Sequence, residues 1–125
     1  MKKSEIKFIV SLDEKNIPEK IEWVAEDSLS QDLKESKSIS LSLWDDKKKN
    51  TLRIDLWTKE MTTDDMKKFY IDCLGGLSQS ILNSTGDEFM SKETNNLCEK
   101  LIEHIKNKSE SVSYTHLTLP TNREV

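Results

Sequence analysis

The side chains that could carry out chemistry are few and scattered along the chain. Cys73 and Cys98 lie 25 positions apart, and His104 follows them at the margin of an apolar helical pattern. Two cysteines at this spacing fit neither a zinc site nor a disulfide scaffold, and a free thiol on a buried helix face packs as a small hydrophobe. We therefore predict no catalytic residue, no cofactor and no metal site. The alternatives are a general base at His104 and a redox role for the thiols.

Carboxylates occur in adjacent pairs, a spacing that does not favour an acid–base dyad. Adjacent side chains on a strand point to opposite faces, and acidic residues at the beginning of a helix stabilise its dipole. We interpret the following pairs as solvated surface or helix caps: Asp13 with Glu14, Asp45 with Asp46, Asp64 with Asp65, and Asp87 with Glu88. The run of Lys47, Lys48 and Lys49 is interpreted as an exposed loop tip, with an acidic partner as the alternative.

The composition predicts one polar domain without a nucleic-acid or membrane role. The chain has 125 residues, of which 34% are hydrophobic and 34% charged, and its net charge is −4. An acidic chain does not have the electrostatic footprint that binding to a phosphate backbone requires. No apolar run approaches the ~20 residues of a membrane helix, and the beginning of the chain does not resemble a cleavable signal. We expect a soluble, cytoplasmic protein with reduced thiols.

The C-terminal string differs in texture from the rest of the chain. Residues 111–125 read SVSYTHLTLPTNREV and lack the acidic and lysine-rich background. The string resembles the translated read-through of a sequencing adapter. We predict a domain over residues 1–108 and a disordered, non-native tail over residues 109–125, in which Tyr114 and His116 have no function. The alternative is a genuine disordered C-terminus.

Four segments alternate between apolar and polar side chains with the period of a β-strand, at residues 5–12, 20–26, 38–44 and 51–58. The apolar positions are odd in the third segment and even in the fourth. Paired residue numbers must therefore sum to an odd value such as 95, which places Leu41 opposite Ile54. Residues 27–37 lack a sustained period and predict a mobile loop, with a short helical turn at 31–35.

Two amphipathic helices follow the strands. Thr62 with Asp65 resembles a capping box, so the first helix is predicted to begin near Thr63, to run to about residue 83 and to be capped by Gly86. The second helix extends from about Met90 to about residue 107. The pair at residues 75–76, both glycine, indicates a close approach of the first helix to the sheet, or a kink.

These patterns predict an α+β fold. We expect a two-layer sandwich in which a four-stranded antiparallel sheet is followed by two helices that pack on one of its faces. The core is predicted to contain nine sheet side chains: Ile6, Phe8, Val10, Ile21, Trp23, Ile39, Leu41, Ile54 and Leu56.

The opposite face of the predicted sheet carries apolar bulk that needs an explanation. Patches of this kind are typical of protein-interaction surfaces. The alternative is that the loop at 27–37 covers the patch, or that its tryptophans lie against neighbouring loops. The predicted interaction face consists of five residues: Ile9, Val24, Trp44, Arg53 and Trp57.

Three motifs carry a family resemblance. They are Pro-Glu-Lys-Ile-Glu-Trp at residues 18–23, Trp-Asp at 44–45 and Ile-Asp-Leu-Trp-Thr-Lys-Glu-Met at 54–61. In this order they resemble the gliding-motility-associated GldC family of Bacteroidota, over about residues 4–106. The C-terminal string departs from the family pattern.

The resemblance implies a small, soluble cytoplasmic protein that supports gliding motility, a process tied to the type IX secretion machinery. It brings no established catalytic residue or cofactor. We therefore expect a non-enzymatic accessory or adaptor protein whose partner belongs to the gliding or secretion machinery, and which could form a homodimer. The alternative is a small chaperone-like protein that binds client segments on its exposed sheet face.

Overall fold

The computed structural model describes residues 1–26 and 32–115, with side chains described as far as residue 108. The chain forms two compact units, Met1–Met61 and a second that begins at Thr62. The single domain over residues 1–108, the helices packed on one sheet face and the non-native tail stay predictions.

The described residues of the first unit form five strands in two antiparallel sheets. β1 (Ile6–Leu12), β2 (Pro18–Ala25) and β3 (Lys34–Ser36) form a three-stranded sheet with β2 in the centre. β4 (Ser38–Asp45) and β5 (Asn50–Trp57) form a separate hairpin. The four predicted strands are all present, but the single four-stranded sheet is wrong, because the strands divide into three and two.

The division between the sheets lies at Lys37. Ser36 is the last residue that pairs with β2, and Ser38 is the first that pairs with β5. The carbonyl of Lys37 accepts a hydrogen bond from the backbone N–H of Thr58, with 2.9 Å between N and O. The chain therefore exchanges β2 for β5 as its strand partner within a single residue, and the strands divide between the two sheets at this point.

β3 is the element that the sequence pattern missed. Its three residues, Lys-Glu-Ser, contain no apolar side chain and so have no alternation to detect. It pairs with β2, with Glu35 opposite Glu22. The predicted helical turn is wrong at residues 34–35, and residues 27–31 of the predicted loop lie outside the described residues.

The register of the β4–β5 hairpin is the one predicted. Leu41 is opposite Ile54, and every pair from Ser38 with Trp57 to Asp45 with Asn50 sums to 95. The alternation of side chains therefore separates an apolar side, which carries Leu41 and Ile54, from a polar side that carries the serines of β4.

Fewer sheet side chains are buried than the sequence predicted. Ile21, on the central strand β2, is fully buried. By contrast Ile6 and Phe8, on the edge strand β1, are 65% and 44% exposed, and Ile54 on the hairpin is 45% exposed. Of the nine predicted core residues only Ile21 is therefore buried. These three are exposed, and the other five are half-buried: Val10, Trp23, Ile39, Leu41 and Leu56. The side chains of β1 are more exposed than Ile21 because a strand at an edge has a neighbour on one side only.

The loop that joins β4 to β5 is organised by Asp45. Its carboxylate Oδ1 accepts hydrogen bonds from the backbone N–H groups of Lys47 and Lys48, at 3.0 and 3.3 Å. Lys49 then returns the chain to β5 with a φ of +54°. A lysine in this left-handed region is strained, because its Cβ approaches the following carbonyl oxygen.

We expect replacement of Lys49 by glycine to raise the free energy of unfolding by up to about 1 kcal/mol, because glycine adopts a positive φ without that steric cost. The lost ion pair with Asp46 joins two exposed side chains and contributes little. Urea denaturation measures the change. Lys48→Gly is the control and should be destabilising; an equal gain from both variants would contradict the strain argument.

The described part of the second unit, up to residue 115, contains two helices. α1 (Thr63–Thr85) begins as predicted, since the Thr62 hydroxyl accepts a hydrogen bond from the backbone N–H of Asp65 at 3.0 Å. It ends at Gly86, which has a φ of +73° and donates its N–H to the carbonyl of Leu82. α2 (Glu88–Thr115) extends beyond the predicted end near residue 107. Strands in antiparallel sheets followed by two helices confirm the α+β class.

Reciprocal hydrogen bonds join α1 to α2. The Ser78 hydroxyl donates to the carbonyl of Ser91 at 2.8 Å, and the Ser91 hydroxyl donates to the carbonyl of Ser78 at 2.9 Å. Cys98 is buried, and its Sγ donates to the carbonyl of Ile71. A Cβ built on Gly75 would lie 3.8 Å from that sulfur. The close neighbour of this glycine is therefore α2, where the sequence predicted the sheet.

Candidate interaction face

Three of the predicted site residues share one side of the β4–β5 hairpin, which we call the serine–tryptophan face. Trp44 is opposite Thr51, Arg53 is opposite Ser42, and Trp57 is opposite Ser38. The two tryptophans occupy opposite ends of the ladder. At a rise of about 3.3 Å per residue, their rows are roughly 20 Å apart. They are therefore two separate apolar anchors and not one aromatic cluster.

Arg53 fills the space between the anchors with a polar network. Its Nη1 donates to the Ser42 hydroxyl at 2.7 Å, and its Nη2 donates to the Ser40 hydroxyl at 2.6 Å. The same Nη2 lies 2.9 Å from Asp55 Oδ1, which also accepts from the Ser40 hydroxyl at 2.7 Å. The Arg53 guanidinium, and then Ser40, lower the pKa of Asp55. The middle of the face is thus charge-balanced and held in one arrangement.

The two tryptophans differ in exposure. Trp44, next to the hairpin loop, is 62% exposed. Trp57, where the hairpin meets the rest of the first unit, is half-buried. A large exposed indole is costly to leave in water and is the kind of residue that anchors protein interfaces. Trp44 is therefore the residue of this face whose side chain is best placed to insert into a pocket on a binding partner.

The other two predicted residues lie on the three-stranded sheet. Ile9 is opposite Glu22 and is 44% exposed, while Val24, opposite Lys7, is half-buried. Ile9 and Val24 share a face of that sheet, because cross-strand partners lie on the same side. Since the strands form two sheets, the five predicted residues divide into a pair and a group of three.

A charged cluster near the β1–β2 turn was not predicted. The Lys59 Nζ lies 2.7 Å from Asp13 Oδ2 and 3.5 Å from Glu19 Oε1. Asp13 Oδ1 also accepts the backbone N–H groups of Lys15 and Ile17, at 2.8 and 2.9 Å. Lys59 is the main cause of the lowered pKa of Asp13, and Asp13 raises the pKa of Lys59 in return.

This cluster corrects the interpretation of Asp13 as solvated surface. Its carboxylate organises the turn and ties it to the segment that follows β5. The signal available in the sequence is an aspartate three positions before Asn16, which has a φ of +63°, since aspartate and asparagine favour such turns.

The two helices line an apolar cavity of about 280 Å³ on the surface of the second unit. His104 is exposed at its rim, as expected for a residue at the margin of an apolar stripe. The lining residues are Lys67, Tyr70, Ile71, Leu74, Leu101, His104 and Ile105.

Within residues 1–26 and 32–115 no group of three His, Cys, Asp or Glu side chains could hold a metal ion. In the same part of the chain no helix has the length and apolar character needed to cross a membrane.

The fold and the site define an α+β protein with an exposed aromatic residue on a two-stranded hairpin. The family model described as "Gliding motility-associated protein GldC-like" matches residues 18–107. The matched region is well over half of the chain, and the chain belongs to the GldC-like family. The resemblance seen in the sequence motifs is thereby confirmed. Comparisons with curated proteins and with solved structures gave no significant match.

Proposed function

We propose that this protein is a non-enzymatic, cytoplasmic accessory or adaptor of the gliding machinery, and that it contacts a protein partner linked to type IX secretion. Membership of a gliding-motility-associated family supports the process. The family is described by that association and not by a reaction, which favours a binding role. The cytoplasmic location is the one that the family resemblance implies.

The 62% exposure of Trp44 is the observation that carries the proposal. Tryptophan is enriched among the residues that dominate binding energy, because it buries a large apolar area and loses little conformational entropy. Beside it, the network of Arg53 is already formed, so a partner need not order these side chains on binding. Ile9 and Val24 belong to the proposed contact surface as a second, smaller patch.

The test compares Trp44→Ser with Leu52→Ser in a gliding bacterium that depends on the introduced gene. The two side chains have nearly equal exposure, 62% and 59%, but lie on opposite sides of the hairpin. We expect Trp44→Ser to weaken capture of one defined component of the machinery by at least about tenfold, as for an interface hot spot, and to reduce colony spreading. Leu52→Ser should leave both unchanged.

Circular dichroism melting curves of the purified variants check that neither substitution unfolds the protein. Trp57→Ser should have a smaller effect than Trp44→Ser, because its indole is half-buried. Full spreading and full capture by the Trp44→Ser variant would refute the proposed contact. Capture of many unrelated unfolded exports, with no defined component among them, would instead favour the chaperone-like role.

A further inference from the structure

The hairpin has two outer strand edges, one on β4 and one on β5, that no described strand occupies. Among the described residues its sheet consists of these two strands, which pair with each other. The Thr58 N–H donates to the carbonyl of Lys37, so Lys37 directs its backbone groups toward β5. Backbone directions alternate along a strand, so every second residue after Lys37 also faces β5. With the register sum of 95, Leu41 and Leu43 therefore direct their backbone groups to β5. Ser40 and Ser42 direct theirs to the open edge.

Within its own sequence, β4 has none of the features that normally protect an edge. Between Lys37 and Asp45 the sequence reads Ser-Ile-Ser-Leu-Ser-Leu-Trp, with no charged residue and no proline. Its pairing with β5 proceeds without a bulge. Exposed edges in natural proteins are usually blunted by lysines, prolines or bulges, and an edge without them is a template for another strand. The β5 edge, by contrast, carries the charged Arg53 and Asp55.

We propose that the open edge of β4 pairs with β4 of a second copy of this chain. The strands would run antiparallel about a two-fold axis at Leu41, the centre of the segment 38–44. This inference goes beyond the adaptor role proposed above and does not depend on it.

The alternating sequence makes this segment complementary to itself. About an axis at Leu41, Ser40 lies opposite Ser42 of the other copy, and Ile39 lies opposite Leu43. Apolar side chains thus meet apolar side chains on one side of the sheet. On the other side Ser40 meets Ser42 and Ser38 meets Trp44, and no like charges are opposed. The pairing satisfies the open backbone groups of Ser40 and Ser42.

The pairing would also enlarge the sheet to which the hairpin belongs. A sheet of four strands with a shared apolar side is more stable than a sheet of two strands. On that side Leu43 is 49% exposed and Ile54 is 45% exposed. The new four-stranded sheet would have the order β5–β4–β4–β5 and would place the apolar sides of the two hairpins next to each other.

The first experiment measures the mass of the full chain by light scattering coupled to size exclusion. We expect a dimer, with twice the monomer mass of 14.5 kDa. Ser42→Pro removes an N–H that faces the open edge and takes no part in the β4–β5 ladder, so this variant should be monomeric. Ser42→Ala keeps that N–H, loses the same bond to Arg53, and should remain dimeric.

The second experiment reads the register and does not require the proline variant to fold. Leu41→Cys places two thiols at a non-hydrogen-bonded pair on the axis, where the Cβ atoms of facing residues are about 4.5–5.5 Å apart. Mild oxidation should link this variant into a covalent dimer. Ile54→Cys, on β5 opposite Leu41 and roughly three strand spacings from its own copy, should not be linked above the wild-type level. A monomeric wild-type chain, or a dimer that is unaffected by Ser42→Pro and is not cross-linked in the Leu41→Cys variant, overturns the inference.

Discussion

Ile21→Ala is expected to lower the free energy of unfolding by about 2–4 kcal/mol, the largest effect of any single truncation that the structure suggests. Ile21 is fully buried on the central strand of the three-stranded sheet. It lies between Val10 on β1 and Ser36 on β3, so both sides of the side chain are flanked. Alanine would leave a cavity that a central strand, paired along both edges, is poorly able to close.

Ile6→Ala is the matched control for this loss. It removes the same atoms from the same face of the sheet, but Ile6 is 65% exposed on the edge strand β1. We expect a change below about 1 kcal/mol, as for other exposed sites. Urea denaturation of both variants measures the difference. Equal losses of stability at the two positions would show that Ile21 on the central strand is not buried more deeply than Ile6 on the edge strand.

The fold was predictable where the polarity of each side chain shows which side of a strand or helix it occupies. The alternation in residues 38–44 and 51–58 restricted the register sum to odd values, and the observed sum of 95 places Ser42 opposite Arg53 and Ser40 opposite Asp55. That these four residues share one side of the hairpin could therefore be derived from the sequence, whereas their pairing and hydrogen bonds required the structure. The helix ends were equally accessible, because Thr62 and Gly86 are local signals that act within one turn.

The parts that were missed depend on distant partners. β3 forms a strand because it pairs with β2. Its Lys-Glu-Ser sequence has no alternation of apolar and polar side chains that would predict a strand. The exchange of partners at Lys37 depends on Thr58, which is remote in sequence. Asp13 likewise acquires its role from Lys59. Periodicity cannot report such contacts, and for this reason one predicted sheet became two and one predicted face became two patches.

Thr58 takes part in one of these long-range contacts, the one with Lys37. Its backbone N–H donates to Lys37, its carbonyl accepts from the N–H of Met61 at 3.1 Å, and its side chain is only 1% exposed. Its hydroxyl has no hydrogen-bond partner among the described residues. An unsatisfied buried hydroxyl lowers stability, since the group loses its bonds to water and gains none in the protein.

Replacement of Thr58 by valine is therefore expected to raise the free energy of unfolding by about 1–2 kcal/mol. Valine keeps the branched shape and the backbone bonds to Lys37 and Met61, and only the hydroxyl is lost. Thr58→Ser is the complementary control, because it keeps the hydroxyl and removes the methyl group; it should cost about 1 kcal/mol. Thermal and urea denaturation of the three proteins should rank them valine, threonine, serine. A less stable valine variant would mean that the hydroxyl is bonded in the folded protein, and the gain expected here would then be wrong.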